Sequence, residues 1–150
     1  PMDLRTSCEK ISRLSNRIYS NRFLRSLKNK VRIKSVRHPE LDTSMLPGIN
    51  TLTQFDDCYT APLHGFKSAL DYYERCSSIH FVNHIQTPTL IINTLNDPFL
   101  SPECFPVALN SHPHVNLEIL PRGGHVGFAQ FNKNGLYWSE ERAVQFLNGN

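Results

Sequence analysis

Residues 88–95 read PTLIINTL, a nearly continuous apolar run rich in isoleucine, and Asn96-Asp97-Pro98 follows it. A strand with one face in water alternates apolar and polar residues. Strands covered on both faces do not, and parallel sheets are built from that second kind. The run therefore predicts a parallel strand over 89–95, and VNLEIL at 115–120 predicts another. Between them, NDPFLSPECFPVAL offers Ser101 as an N-cap and Pro102 at the first helical position, while Pro106 keeps any helix there short or bent. GLYWSEERAVQFL at 135–147 predicts a closing helix, with Glu140 and Glu141 in its early turns where the helix dipole favours acids. Strand, helix, strand, helix over 88–147 is the order of a parallel α/β unit.

Upstream the texture is helical. From Cys8 to Lys34 the residues Ile11, Leu14, Ile18, Phe23, Leu24, Leu27 and Val31 recur mostly three or four apart. That spacing predicts an amphipathic helix, broken near Ser20-Asn21 into two. RHPELDTSMLPGINTL reads as loop, marked by Pro39, Pro47 and Gly48. GFKSALDYYERC at 65–76 predicts a short helix burying Phe66, Leu70 and Tyr73. The first 85 residues offer no strand, and two apolar parallel strands need neighbours. The expectation is therefore the C-terminal half of a larger α/β domain, its last βαβα unit spanning about 87–150. Standing alone, such a piece is expected to expose sheet edge and to associate or stay partly unfolded.

A chain of 150 residues with 39% hydrophobic content can form a single core. It contains no apolar run near the roughly 18–20 residues that span a bilayer, and no signal-peptide pattern. A targeting or anchoring segment before Pro1 would not be visible. Cys8, Cys58, Cys76 and Cys104 are scattered with no C-x-x-C pair, which points to reduced thiols in a cytoplasmic protein. The net charge of +3 conceals an asymmetry: eleven of the 16 Lys and Arg fall in residues 1–37, against Asp3 and Glu9 alone. Such a segment can hold phosphates. It lacks the run of interleaved aromatics that a nucleic-acid platform needs, so the simpler expectation is a solvated helix face paired with the acidic remainder.

In open parallel sheets, functional residues gather just past the C-terminal ends of the strands. Asp97 follows the first strand there, and His125, inside LPRGGHVGF (120–128), follows the second. An aspartate that accepts the Nδ1–H of a histidine fixes its tautomer and leaves Nε2 as a general base. Gly123, Gly124 and Gly127 permit the tight turns and close approaches that such a placement needs. Taken singly, the histidine could be a hydrogen-bonded structural residue and NDP an ordinary turn. Taken together and in this order, they favour a hydrolase dyad awaiting a nucleophile, since α/β-hydrolases run Ser, Asp/Glu, His along the chain. No G-x-S-x-G occurs, and Ser68 in HGFKSAL lies in a predicted helix with no strand before it. His112-x-His114 and His80-x-x-x-His84, with Glu103 or Glu118, have metal-ligand spacing, but both pairs sit where histidines usually face solvent.

FDDCYTAPLHGFKSALDYYERCSS (55–78), TPTLIINTLNDPFLSPECFP (87–106) and LPRGGHVGF, with PMDL and RFLRSLKNK upstream, resemble the YheT-type branch of the α/β-hydrolases. This is the abhydrolase-domain carboxylesterase family, and the similarity covers nearly all of the chain, against the family's C-terminal half. The resemblance implies an α/β-hydrolase fold represented by its last parallel strands plus helices, with a helical cap segment over about 1–86. It implies a serine-type carboxylic ester hydrolase acting on a small ester or lipid-like substrate, without metal or cofactor. Asp97 matches the catalytic acid of the family's D-D-P-F motif, in which Asn96 replaces the first Asp, and His125 matches the base. The nucleophile and oxyanion-hole amides belong to the family's N-terminal half, so that half is an expected partner and the chain alone is expected to be inactive. Asp56 and Asp57 are expected to cap or pair. Two other readings stand beside this one: an acyltransferase using an alcohol acceptor, and a non-catalytic hydrolase-like module engaging an anionic lipid or protein surface. None of them involves nucleic acid.

Overall fold

The basic stretch folds as helix, but its break falls earlier than the apolar periodicity predicts. α1 (Leu4–Ile11) ends where the Ser12 hydroxyl and the Asn16 amide donate to the carbonyls of Cys8 and Lys10, at 2.8 and 3.0 Å. Short polar side chains compete with the helical ladder in this way. A 3-10 turn at Leu14–Asn16 leads into α2 (Arg17–Ser35), in which Ser20 is buried on the same face as Leu24 and Val31 and breaks nothing. The computed structural model describes residues 2–128 and 135–149 and divides into two compact units, 4–77 and 78–150 joined by the first residues of the chain.

The unit 4–77 is helical throughout. After α2 the chain loops inward to bury Leu46 and Ile49. Thr51 then caps α3 (Leu52–Phe55): its hydroxyl accepts from the Gln54 N–H, and the Gln54 side chain accepts from the Thr51 N–H, both at 3.1 Å. α3 continues through a π-helical turn, Asp56–Thr60, into α4 (Ala61–Leu63). The sequence reading placed no helix here. Leu52, Phe55 and Tyr59 nonetheless share one face and join Leu24, Val31, Leu46 and Ile49 in the core of the unit. α5 (Ala69–Cys76) buries Ala69 and Tyr73 but leaves Leu70 54% exposed. Because the buried stripe runs from Ala69 to Tyr73 at i+4, Leu70 is turned by one residue's rotation toward solvent.

In the second unit β1 (Thr89–Thr94) and β2 (Val115–Leu120) pair in parallel, in register from Thr89 opposite Val115 to Thr94 opposite Leu120. β1 is one residue shorter than predicted: the Leu95 N–H still bonds the Leu120 carbonyl at 2.8 Å, but its side chain is 61% exposed. The expected crossover helix is reduced to two 3-10 turns, Pro102–Cys104 and Val107–Ser111. Four prolines between residues 98 and 113 leave no stretch free to form a longer one. Val82, Leu109 and Val115 form a small core, against which Met2, Ile85, Ile91 and Leu117 pack. α6 (Trp138–Leu147) closes the unit, its Arg142 Nε donating to Glu118 Oε1 on β2 at 2.6 Å. The architecture is thus a partial α/β fold. Among the described residues, no helix is long and apolar enough to cross a membrane.

The sheet has two strands among the described residues, and most of its side chains are only half-buried. Each strand therefore presents one open edge, a template for further pairing. The 150-residue chain is expected to self-associate with rising concentration in sedimentation velocity. A monomer with one sharp thermal transition would contradict this.

Candidate active site

Because β1 and β2 end level with one another, the segments that leave them start side by side. Asp97 comes three residues after β1 and is 3% exposed. Its backbone N–H turns back onto the Thr94 carbonyl at 3.3 Å, and its Oδ1 accepts the Phe99 N–H at 2.8 Å. Aspartate before proline favours this turn. Oδ2 is left for His125, whose Nδ1 lies 2.8 Å away. A buried carboxylate without donors is costly, so this contact places the imidazole proton on Nδ1. Nε2 is then the basic nitrogen of a ring whose side chain is 52% exposed. The Phe99 ring meets the imidazole edge-on, with centroids 4.9 Å apart. The structure brings together the two residues singled out from the sequence.

The loop that carries His125 is pinned to the end of β1 through both backbone groups of Gly124. The buried Thr94 hydroxyl donates to the Gly124 carbonyl at 2.6 Å, and the Gly124 N–H donates to Asn96 Oδ1 at 3.0 Å. Gly123 makes this approach possible: a Cβ there would lie 2.6 Å from Thr94 Cγ2 and 2.9 Å from Phe128 Cδ1. Gly124 has φ +64°, a conformation that costs little without a side chain. Phe128 also has a positive φ, 40°, which is uncommon for a bulky residue. It is tied at both backbone groups, its N–H to the Gly123 carbonyl at 3.0 Å and its carbonyl to the Trp138 N–H at 3.1 Å. Sequence reasoning did not identify Thr94, Asn96 as a hydrogen-bond acceptor, Phe99 or Phe128 as parts of the site. The only signal for Thr94 was a polar residue at the tail of an apolar strand.

The remaining candidates have structural places. Ser68 caps α5, its hydroxyl accepting the Asp71 N–H at 3.1 Å. Asp56 accepts from the hydroxyls of Thr60 and Tyr73, both at 2.6 Å, and Asp57 accepts the Ala69 N–H at 2.6 Å. Burial, with the Asp56 carboxylate beside it, pushes the Tyr73 phenol far above its ordinary range. His112 Nδ1 accepts the His114 N–H at 3.2 Å, and its Nε2 lies 3.4 Å from the Asn83 carbonyl, so both ring nitrogens are engaged. His80 and His84 lie in separate 3-10 turns, Ser78–His80 and Val82–His84. Among the described residues, no three His, Cys, Asp or Glu are grouped to hold a metal ion.

Among known proteins, the chain is 34% identical over 116 residues to the putative esterase YheT of Escherichia coli (strain K12). That match covers 75% of this chain and 34% of the relative. An abhydrolase domain-containing protein of Dictyostelium discoideum is 31% identical over 89% of this chain and 34% of its own length. A monoacylglycerol lipase of Saccharomyces cerevisiae is 32% identical over 68% and 22% respectively. The chain thus spans about a third or less of the length of these relatives. No family model and no solved structure matches it.

Gly123→Ala is expected to push the loop off β1 and part His125 from Asp97, because the added methyl meets Thr94 and Phe128 inside contact distance. The imidazole ¹⁵N shifts should move from those of a single Nδ1–H tautomer toward the averaged values of a free ring. Thr94→Val keeps the shape but leaves the Gly124 carbonyl without its donor, and should cost about 1–3 kcal/mol in a urea titration. Wild-type ¹⁵N shifts in Gly123→Ala would refute the pinned-loop account.

Proposed function

We infer that this chain, which belongs to the YheT-type α/β-hydrolase family, supplies the acid and the base of a serine-type carboxylic ester hydrolase. One observation carries the reading: a buried Asp97 carboxylate holds a half-exposed His125 imidazole at 2.8 Å, at the adjacent tips of two parallel strands. His125 Nε2 takes the proton of a serine hydroxyl as its oxygen adds to the ester carbonyl carbon. Asp97 stabilises the imidazolium that results. The tetrahedral oxyanion is held by backbone N–H groups; its collapse breaks the ester C–O bond, and His125 returns its proton to the departing alcohol. Water repeats the sequence on the acyl-enzyme. None of these steps draws on a metal or cofactor.

The nucleophile belongs to a part of the domain that precedes this chain, on the order Ser, Asp, His of α/β-hydrolases. The chain on this reading is the C-terminal half of the domain, with residues 1 to about 86 in its helical cap segment. Support comes from the share of each relative that it spans, and from the apolar strands left half-exposed in a two-stranded sheet. The names of the relatives, esterase and monoacylglycerol lipase, favour an acyl ester of lipid-like character as substrate. Four free cysteines favour a reducing, cytoplasmic setting.

The isolated chain is expected to leave p-nitrophenyl esters unhydrolysed. Joined to the preceding sequence, it should turn them over, with Asp97→Asn lowering kcat by about 10³–10⁴ and His125→Ala abolishing the serine pathway. Turnover by the isolated chain that disappears in His125→Ala would place the nucleophile within these 150 residues. Full activity of the joined His125→Ala protein would remove His125 from the mechanism.

A further inference from the structure

Seven of the 19 residues of α2 are Lys or Arg, and none is acidic. The helix face is solvated, as expected, along most of its length. Ion pairs among the described residues include those of Arg5, His38, Arg75, His125 and Arg142, and none of them engages a cation of α2. Between the charges stand large apolar side chains in solvent: Ile18 is 84% exposed, Ile33 62%, and Val36, the first residue past the helix, 81%. From Ile18 through Arg22, Arg25 and Asn29 to Arg32, Ile33 and Val36 the spacing is three or four, so these residues share the outer face, opposite the buried Leu24 and Val31. Arg25, Lys28 and Arg32 also line an open cleft of about 330 Å³ beside the Ile49-Asn50 turn.

A face that is only basic serves any polyanion. A nucleic-acid groove sets rings between its cations for bases to stack on, whereas the most exposed apolar side chains here are aliphatic and the one ring among them, Tyr19, is only 45% exposed and lies to the side of the Arg22-Arg25-Arg32 row. Branched aliphatic groups among arginines match the boundary between lipid headgroups and acyl chains: the cations meet phosphates while the apolar groups leave water. We propose that the outer face of α2 docks the protein on an anionic lipid surface. Arg22, Arg25 and Arg32 meet lipid phosphates, and Ile18, Ile33 and Val36 enter the acyl boundary. This goes beyond the ester-hydrolase reading and uses neither Asp97 nor His125.

The test is flotation, which leaves self-associated protein behind, of the chain joined to its preceding sequence with phosphatidylcholine vesicles, plain or carrying about 30% phosphatidylserine. Binding is expected only to the anionic vesicles, weakening at least ~tenfold from about 0.05 to 0.5 M NaCl. Arg22→Glu/Arg25→Glu should lower it at least ~tenfold, and Ile18→Asn/Ile33→Asn should lower it as well. Lys67→Glu/Arg122→Glu makes the same change in net charge elsewhere and should bind within about twofold of the wild type. His125→Ala should bind as the wild type does, so this proposal and the catalytic one fail separately. Equal loss in the two charge-reversed variants, as an unfolded basic chain would give, overturns the proposal. So does equal binding to plain vesicles, or displacement by millimolar inorganic phosphate, which would leave only a free-anion cleft. Retention of mixed-sequence single-stranded RNA with none of the vesicles would assign the face to nucleic acid.

Discussion

A carboxylate with 3% of its surface in water needs a donor for each oxygen, and Asp97 has two: the Phe99 amide and the His125 imidazole. Much of the second unit can be understood as the means of bringing those donors to it. The parallel register ends β1 and β2 at one level. Thr94 and Asn96, in the short turn into Asp97, grip the carbonyl and the N–H of Gly124, the residue before His125. Asp97 and His125 are thus fixed by a common set of contacts, and neither can drift without stretching the other's. Proton transfer, wherever it occurs, requires such constancy because it needs hydrogen-bond reach.

The strands, and the approach of Asp97 to His125, were legible because each left a local mark. The apolar runs set both strands, and β2 begins and ends where VNLEIL does. Asp97 and His125, which the structure brings to 2.8 Å, were singled out because strand ends concentrate function and because a known family's motifs coincide there. The supporting residues left no such mark. Thr94 reads as one more strand residue until the loop folds onto it, and nothing local distinguishes Phe128 from any residue following a glycine. The role of Thr94 exists only across the thirty residues to Gly124, and that of Phe128 only once Gly123 and Trp138 have closed on it.

The helical unit shows the converse. Periodicity identified α2 but located the break by composition, at Ser20-Asn21, where burial against Leu24 and Val31 keeps the helix whole. The actual break, at Ser12 and Asn16, rests on two side chains bonding back to nearby carbonyls, an option open to any serine or asparagine and taken by few. α3 went unseen because the turns before and after it carry the glycine and prolines that dominate a reading by punctuation. Its apolar residues are also spaced across a helix that changes pitch.

That change of pitch lies at Asp56–Thr60, where the helix widens to accommodate one surplus residue. The widening gives neighbouring aspartates separate tasks: Asp56 faces Tyr73, while Asp57 reaches the first amide of α5. Removing one residue from this stretch would restore an ordinary pitch and rotate everything from Ala61 onward by about 100°. The fully buried Ala61 would swing outward, and the α5 amide would lose its acceptor. Point changes here can be absorbed by neighbouring side chains. A single-codon deletion cannot, so the length of this segment is constrained more tightly than its composition.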